Sequence, residues 1–349
     1  MTPFARSTAW QLRVILLGLW ATGFSSPVRA DPPKALASSI QLAKVVDFSK
    51  LPQIAKSKVG RNESANFTAD VPGSVADVAK HYRTQLDSLG WKPATNAAKS
   101  DDSESCASSE LWKDGHSLYL MVFRFGDKPS ANVTLGFRGN LDTRTLPRSK
   151  GAKELYGSQI QTTYVAEAKV PAEAETLAKD LTADGWQEFK TLFTSTTKSD
   201  KERHLQFRKN GYAITVSVEQ VEAQNNKTVV QYGVEALSHE LPAPADATDV
   251  EFADLRWEMR CKVARDLKAV AEFYEKAMPA AGYTALQSEK PTATGGVYKY
   301  ATPEKDVISV ILSSKDGKAT TVKLIGFSQK GLEDRKKAIE RGEIDPNSD

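Results

Sequence analysis

The sequence predicts an α+β protein of three tandem units, each about 95 residues long, with one helix packed on a small antiparallel sheet in the order strand, helix, strand, strand, strand. Three observations predict it. Leu51-Pro52, Leu146-Pro147 and Leu241-Pro242 recur at intervals of 95 residues, and such a period is read before any shorter motif. Each Leu-Pro is followed by a Gly-aromatic pair: Gly90-Trp91, Gly185-Trp186 and Gly282-Tyr283. Apolar runs flank Asp114-Gly115, Asn210-Gly211 and Asp316-Gly317, and these dipeptides are the strongest local signal of a hairpin.

Residues 1–30 read as a signal peptide. Arg6 and Arg13 precede the apolar run Val14 to Phe24, and Val28-Arg29-Ala30 offers a cut after a small residue. The run is too short for the roughly 20 residues of a membrane span. The expected mature chain is therefore exported, periplasmic or extracellular, with no transmembrane span once the signal is cleaved. Residues 31–50 form a lead-in segment. The units cover 51–145, 146–240 and 241–328, and 329–349 is a charged C-terminal tail.

In the first unit a strand over Asn66 to Ala69 leads to a helix. Val75, Val78, Ala79, Tyr82, Leu86 and Leu89 recur at helical spacing and make one apolar stripe. Ser74 is placed to cap that helix, Asp77 favours its first turn, and Gly90 supplies a left-handed stop. Trp91 then packs back on the helix end. In the middle unit the stretch from Val170-Pro171 to Gly185-Trp186 is four residues shorter than its counterpart from Val71-Pro72 to Gly90-Trp91. Four residues are about one turn, so the middle helix is expected to have lost one, with Ala174, Leu177, Ala178 and Leu181 as its buried face. The third helix buries Val270, Ala271, Tyr274 and Met278 and is expected to stop or kink at Pro279. The strands that follow are Glu110–Trp112, Leu118–Phe125 and Asn132–Arg138; then His204–Phe207, Tyr212–Val218 and Val229–Val234; then Val297–Tyr300, Val307–Leu312 and Thr321–Phe327. Gln161–Ala166 and Leu255–Arg260 open the second and third units.

Charge removes one class of function. The first 30 residues hold three Arg and no Lys, Asp or Glu, so the mature chain carries 44 basic against 44 acidic residues. A nucleic-acid binder shows a basic stripe, and none is present, so no nucleic-acid partner is expected. No catalytic or cofactor motif occurs, and no cofactor is expected. His81, His116, His204 and His239 are scattered over two units, without the short local spacing of a metal site. The acidic run from Asp101 to Ser105 has the composition of a solvated loop rather than the spacing of a calcium loop. Positions common to all three units are Leu, Pro, Val, Gly and aromatic, which build a fold, and the reading leans away from an enzyme.

The only cysteines are Cys106 and Cys261, in the first and third units. An oxidising compartment permits a disulfide between them, and the plainer reading is two separate thiols, Cys106 in a polar loop and Cys261 in a strand.

Strand faces differ between units. Tyr212, Ile214, Val216 and Val218 alternate with Ala213, Thr215 and Ser217, one dry side and one wet. In the first unit Leu118, Leu120 and Val122 oppose Tyr119, Met121, Phe123 and Phe125, and both faces are apolar. One helix covers only one face, so the second is buried by a neighbouring unit or is an interaction face for a partner protein or an apolar ligand. Tyr119, Met121, Phe123 and Phe125 are the candidate interaction face.

The helix end HYRTQLDSLGW (His81–Trp91), the strand exit FRGNLDTRTLP (Phe137–Pro147) and the joining stretch GAKELYGSQIQTTYV (Gly151–Val165) resemble exported bacterial proteins of planctomycete type with tandem βαβββ repeats. The resemblance covers most of the mature chain. It implies the fold and export, with no activity and no functional residues attached. The expected role is a non-catalytic one, binding an envelope protein or scaffolding in the cell envelope. The alternatives are a hydrolase with its site in one diverged unit and a binder of an apolar small molecule.

Overall fold

The computed structural model describes residues 36–94, 103–126, 128–191, 199–286, 292–315, 317–328 and 341. The signal segment, the bulk of the charged tail, and Asp101, Asp102 and Asp316 of the motifs above lie outside the described residues. The described residues form a mixed α+β protein with three sheets and four α-helices. A short helix α1 (Ser39–Ala43) comes first.

The first sheet holds β1 (Lys58–Asn62), β2 (Asn66–Pro72), β3 (Lys92–Pro93), β4 (Cys106–Lys113), β5 (His116–Phe123) and β6 (Ser130–Gly139) in the order β1-β2-β6-β5-β4-β3, with α2 (Val75–Ser88) between β2 and β3. The second holds β7 (Lys153–Gly157), β8 (Gln161–Ala166), β9 (Gln187–Glu188), β11 (Glu202–Lys209), β12 (Tyr212–Val221) and β13 (Lys227–Ala236) in the order β7-β8-β13-β12-β11-β9, with α3 (Val170–Ala183) after β8. β10 (Lys190–Thr191) leaves the second sheet and joins the third by a parallel pairing with β14 (Thr248–Ala253). The third sheet continues with β15 (Glu258–Val263), β16 (Thr284–Ala285), β17 (Gly295–Ala301), β18 (Val307–Ser313) and β19 (Thr320–Phe327), order β10-β14-β15-β19-β18-β17-β16, and α4 (Leu267–Ala280) follows β15. Every pairing but β10 with β14 is antiparallel.

Each sheet is therefore wider than the expected four strands. The additions lie at the sides: β1 and β7 at the edges before the first expected strand, β14 with β10 outside it in the third sheet, and the two-residue β3, β9 and β16 after the helix. Edge strands pair on one side only and need little apolar content. β1 (KVGRN) and β7 (KELYG) are almost wholly exposed and carry no alternation to read. Leu255, expected in a strand, lies instead in a 3₁₀ turn, Asp254–Arg256.

The middle helix is not shortened. α2, α3 and α4 all run 14 residues. Val71-Pro72 closes β2, whereas Val170-Pro171 opens α3, so the two Val-Pro pairs belong to different elements. Proline is well suited to the first turn of a helix, where its missing N–H would have had no partner. Pro279 lies in the last turn of α4, which ends one residue later at Ala280.

The Gly-aromatic pairs close all three helices. Gly90, Gly185 and Gly282 have φ of 88°, 82° and 92°, a left-handed conformation that ends a helix at low cost only with glycine. The next residue turns back: the amides of Trp91, Trp186 and Tyr283 donate to the carbonyls of Leu86, Leu181 and Met278, each at 3.0 Å. All three aromatic rings are buried against the end of the helix they terminate.

One hydrophobic core runs continuously through the first and second sheets, from Phe67, Tyr82 and Phe137 to Tyr164, Tyr212 and Tyr232. The third sheet and α4 enclose a separate core around Met259, Tyr274 and Leu324. The lead-in ties these parts together. Leu42 and Phe48 are fully buried in the shared core. Asn210 Nδ2 donates to Leu36 O (3.0 Å), Gly211 N to Ala37 O (3.2 Å) and Glu240 N to Ser39 Oγ (3.1 Å). The approach is so close that a Cβ on Gly211 would stand 2.5 Å from Ser39 N. Gly211→Ala is therefore expected to destabilise the protein by about 1–3 kcal/mol, because backbone rather than a flexible side-chain end must yield. Urea denaturation with proteolysis across residues 36–43 checks this; wild-type values for both would show that the lead-in is not seated there.

Candidate functional site

The first sheet settles which side of β5 is dry. Leu118, Leu120 and Val122 are fully buried in the core with α2. Tyr119, Met121 and Phe123 are half-buried on the opposite face, and Phe125, just beyond the strand, is 51% exposed. The Tyr119 hydroxyl donates to Met121 Sδ (3.3 Å), and the Phe123 and Phe125 rings meet edge to face at 4.8 Å. Gly136 is the cross-strand partner of Tyr119, and the Arg138 guanidinium lies 5.3 Å over the Tyr119 ring. Arg138 also donates to Val234 O on β13 (2.7 Å), so the Tyr119 end of the row is anchored to the second sheet. Burial raises the pKa of Glu110, the partner of Tyr119 on β4, against the pull of Arg138. The Phe123–Phe125 end carries no such anchor and faces solvent.

The disulfide between Cys106 and Cys261 is not formed. Cys106 is the first residue of β4 rather than part of a loop, and Cys261 is buried in β15 of another sheet. Cys261 lies within the third core, beside Tyr274, and burial pushes its thiol up to about 11. A bridge would have to pull it out through its own sheet.

The Asn210-Gly211 turn also assembles groups that sequence reading left scattered. Lys209 pairs with Tyr212 across the Asn210-Gly211 turn, which places His204 opposite Ser217 and Glu202 opposite Glu219. Glu202 and His204 are two apart on one strand and share a face. His204 Nε2 lies 2.5 Å from Glu202 Oε1, and Ser217 Oγ lies 2.8 Å from Nδ1. The carboxylate makes Nε2 the protonated nitrogen, so Nδ1 accepts from the serine hydroxyl. These atoms have the connectivity of a Ser-His-Glu relay, but β12 lies between β11 and β13 and its amides are committed to those ladders, so none beside Ser217 is available to stabilise an oxyanion. The hairpin turn was the signal that could have found this group, because a two-residue turn fixes every cross-strand pair.

A second polar cluster joins the first and third sheets. Arg61 on β1 donates from Nε to Glu63 Oε2 (2.5 Å) and from Nη2 to Asp254 Oδ2. Asp254 also accepts from the amides of Ser238 (3.4 Å) and His239 (3.2 Å), and Trp257 Nε1 donates to Glu63 Oε1 (3.2 Å). The His239 and Trp257 rings lie 3.7 Å apart. Two carboxylates with little solvent exposure share one guanidinium, and burial with the neighbouring Glu63 holds Asp254 well above its ordinary value against the pull of Arg61. Burial, helped by Arg61, pushes His239 down to about 3, so its ring is neutral. The contacts of Arg61, Glu63, Asp254 and Trp257 join the first sheet to the turn that precedes β15.

A groove of about 410 Å³ runs where the lead-in meets α4, lined by Ser38, Gln41, Glu240, Pro242 and Ala281. Among the described residues no helix is long and apolar enough to cross a membrane. Comparison with protein-family models, with curated proteins and with solved structures found no match to this chain.

Proposed function

We propose that this chain is an exported, non-catalytic binding protein of the cell envelope, built from three tandem copies of a unit of about 95 residues. The repeat reading is supported by three helices of equal length, each ended by a Gly-aromatic pair and each preceded by the strand that pairs with the last strand of its sheet. Export is supported by the charged, then apolar, then small-residue pattern of residues 1–30.

The observation that carries the binding role is the open aromatic end of the Tyr119–Phe125 row. Adjacent aromatic side chains left half in water on a rigid strand are a contact surface for an apolar partner segment, with large area and little conformational freedom to lose. Envelope material captured on the mature protein should include a species that is lost with Phe123→Ser/Phe125→Ser and retained with a control change at exposed Thr215. Identical capture by both variants sinks the role of this face. An apolar small molecule bound there would instead co-migrate with the wild-type protein in native mass spectrometry.

The runner-up is a hydrolase at Ser217, favoured by its hydrogen bond to His204. It lacks a donor for an oxyanion, and labelling of wild type but not Ser217→Ala by an organophosphorus probe would decide in its favour.

A further inference from the structure

The outer face of the β11–β12 hairpin carries an arrangement that the binding role does not use. Glu202 and Glu219 are directly opposite each other in register. Like charges at such a position repel and weaken a strand pair. Among the described residues no Lys or Arg forms an ion pair with Glu219 or Glu202, and the basic side chain in contact with Glu202 is the His204 ring. The sequence thus holds two carboxylates and one imidazole at a point where a sheet gains nothing from them.

One ligand atom from each of Glu202, His204 and Glu219 lies within 4.8 Å of the others. The three come from two strands whose relative position is fixed by a tight turn and a continuous ladder, so the set is held by the scaffold rather than by a loop. Ser217 binds the far ring nitrogen of His204, the kind of outer contact that orients a ligating imidazole. Nε2 then faces Glu202, and a metal ion would replace the proton now shared between them, releasing it to solvent. Imidazole with two carboxylates suits a divalent first-row transition ion such as zinc, bound at about 2.0–2.2 Å, whereas magnesium and calcium favour oxygen ligands throughout. The carboxylates would swing apart by a fraction of an ångström to reach those distances, which terminal side-chain torsions allow. Half-exposure leaves the remaining coordination positions to water.

We propose that Glu202, His204 and Glu219 form a binding site for a divalent first-row transition metal ion, zinc by preference, with Ser217 as a positioning residue. The ion links β11 to β12 and removes the repulsion between the paired carboxylates. It stands on its own observations and does not depend on the aromatic face of the first sheet.

The test uses untagged, full-length mature protein freed of metal by chelation. Titration with zinc chloride by calorimetry, and with cobalt chloride by visible absorption, should give one equivalent bound. Apparent thermal stability should rise with zinc. His204→Ala and Glu219→Gln should each weaken zinc binding by at least about tenfold and abolish the thermal shift, while Ser217→Ala should weaken it by roughly tenfold, the size typical of outer-shell partners. His81→Ala and His116→Ala should leave binding unchanged. Absence of binding by wild type, or undiminished binding by both His204→Ala and Glu219→Gln, would overturn the proposal. Glu219→Gln removes charge without removing volume, so it reports on the site even where His204→Ala disturbs the strand.

Discussion

Arg61→Ala should destabilise the protein by about 3–5 kcal/mol, the loss expected when one partner of a buried ion pair is removed and the other charge stays behind. The side chains of Glu63 and Asp254 are only 8% and 11% exposed, and Arg61 is the guanidinium that both engage. Without it, two carboxylates face each other across the junction of the first and third sheets. Asp254→Asn added to Arg61→Ala should recover part of the loss, because the uncompensated charge goes with it. Urea denaturation of the two single variants and the double variant measures this coupling. Strictly additive losses would mean that the guanidinium and the carboxylate do not act on each other, and that the junction is held by packing around Trp257 alone.

The same junction is expected to conceal two opposed pH dependences. His239 has a folded pKa of about 3, below its ordinary value near 6.5, so its contribution to stability is present above about pH 6.5 and is lost as pH falls towards 3. Burial raises Asp254 above its ordinary 3.8, so its contribution is present below about pH 4 and is lost as pH rises through the raised value. The two slopes are opposite in sign, so over the range in which both groups titrate each offsets the other. His239→Phe keeps an aromatic ring against Trp257 and removes the titration; relative to wild type it should gain stability as pH falls through this window. Asp254→Asn should do the opposite and lose stability relative to wild type on acidification. Thermal unfolding at pH 4, 5, 6 and 7 shows both. Difference curves that are flat for both variants would show that neither group is perturbed as its burial requires.

Local signals were legible in the sequence because their causes are local. The stripe from Val75 to Leu86 and the stops at Gly90, Gly185 and Gly282 follow from helical periodicity and from backbone conformations open to glycine. The alternation of Tyr212 to Val218 named the buried side of β12 correctly. The Val-Pro comparison failed because it matched residue types without asking which element each pair served: proline is welcome both at a strand end and in a helix's first turn. The edge strands β1 and β7 were missed because exposure on nearly all sides leaves no periodicity.

For the candidate sites the division is similar. The apolar character of both faces of β5 was readable, and so was the choice of Tyr119, Met121, Phe123 and Phe125 as the face to examine. Which part of that row stays open was decided by Arg138, whose guanidinium covers Tyr119 on its way to Val234, a contact between residues 96 apart. The separation of Cys106 from Cys261 was decided by Cys261 lying within its own core.

By itself the sequence determined the three long helices, the main strands and most of the dry face of each helix, since these depend on steric preferences and on spacings of 2 and 3.6 residues, although Leu89, expected in the first stripe, is exposed. Only the tertiary structure decided that the first and second sheets share one core, that the lead-in seats against Gly211, and that Arg61 meets Asp254. It also brought His204 between two carboxylates. Those outcomes depend on which surfaces meet after the elements form, and a chain records such meetings only as single residues far apart, each ordinary in its own surroundings.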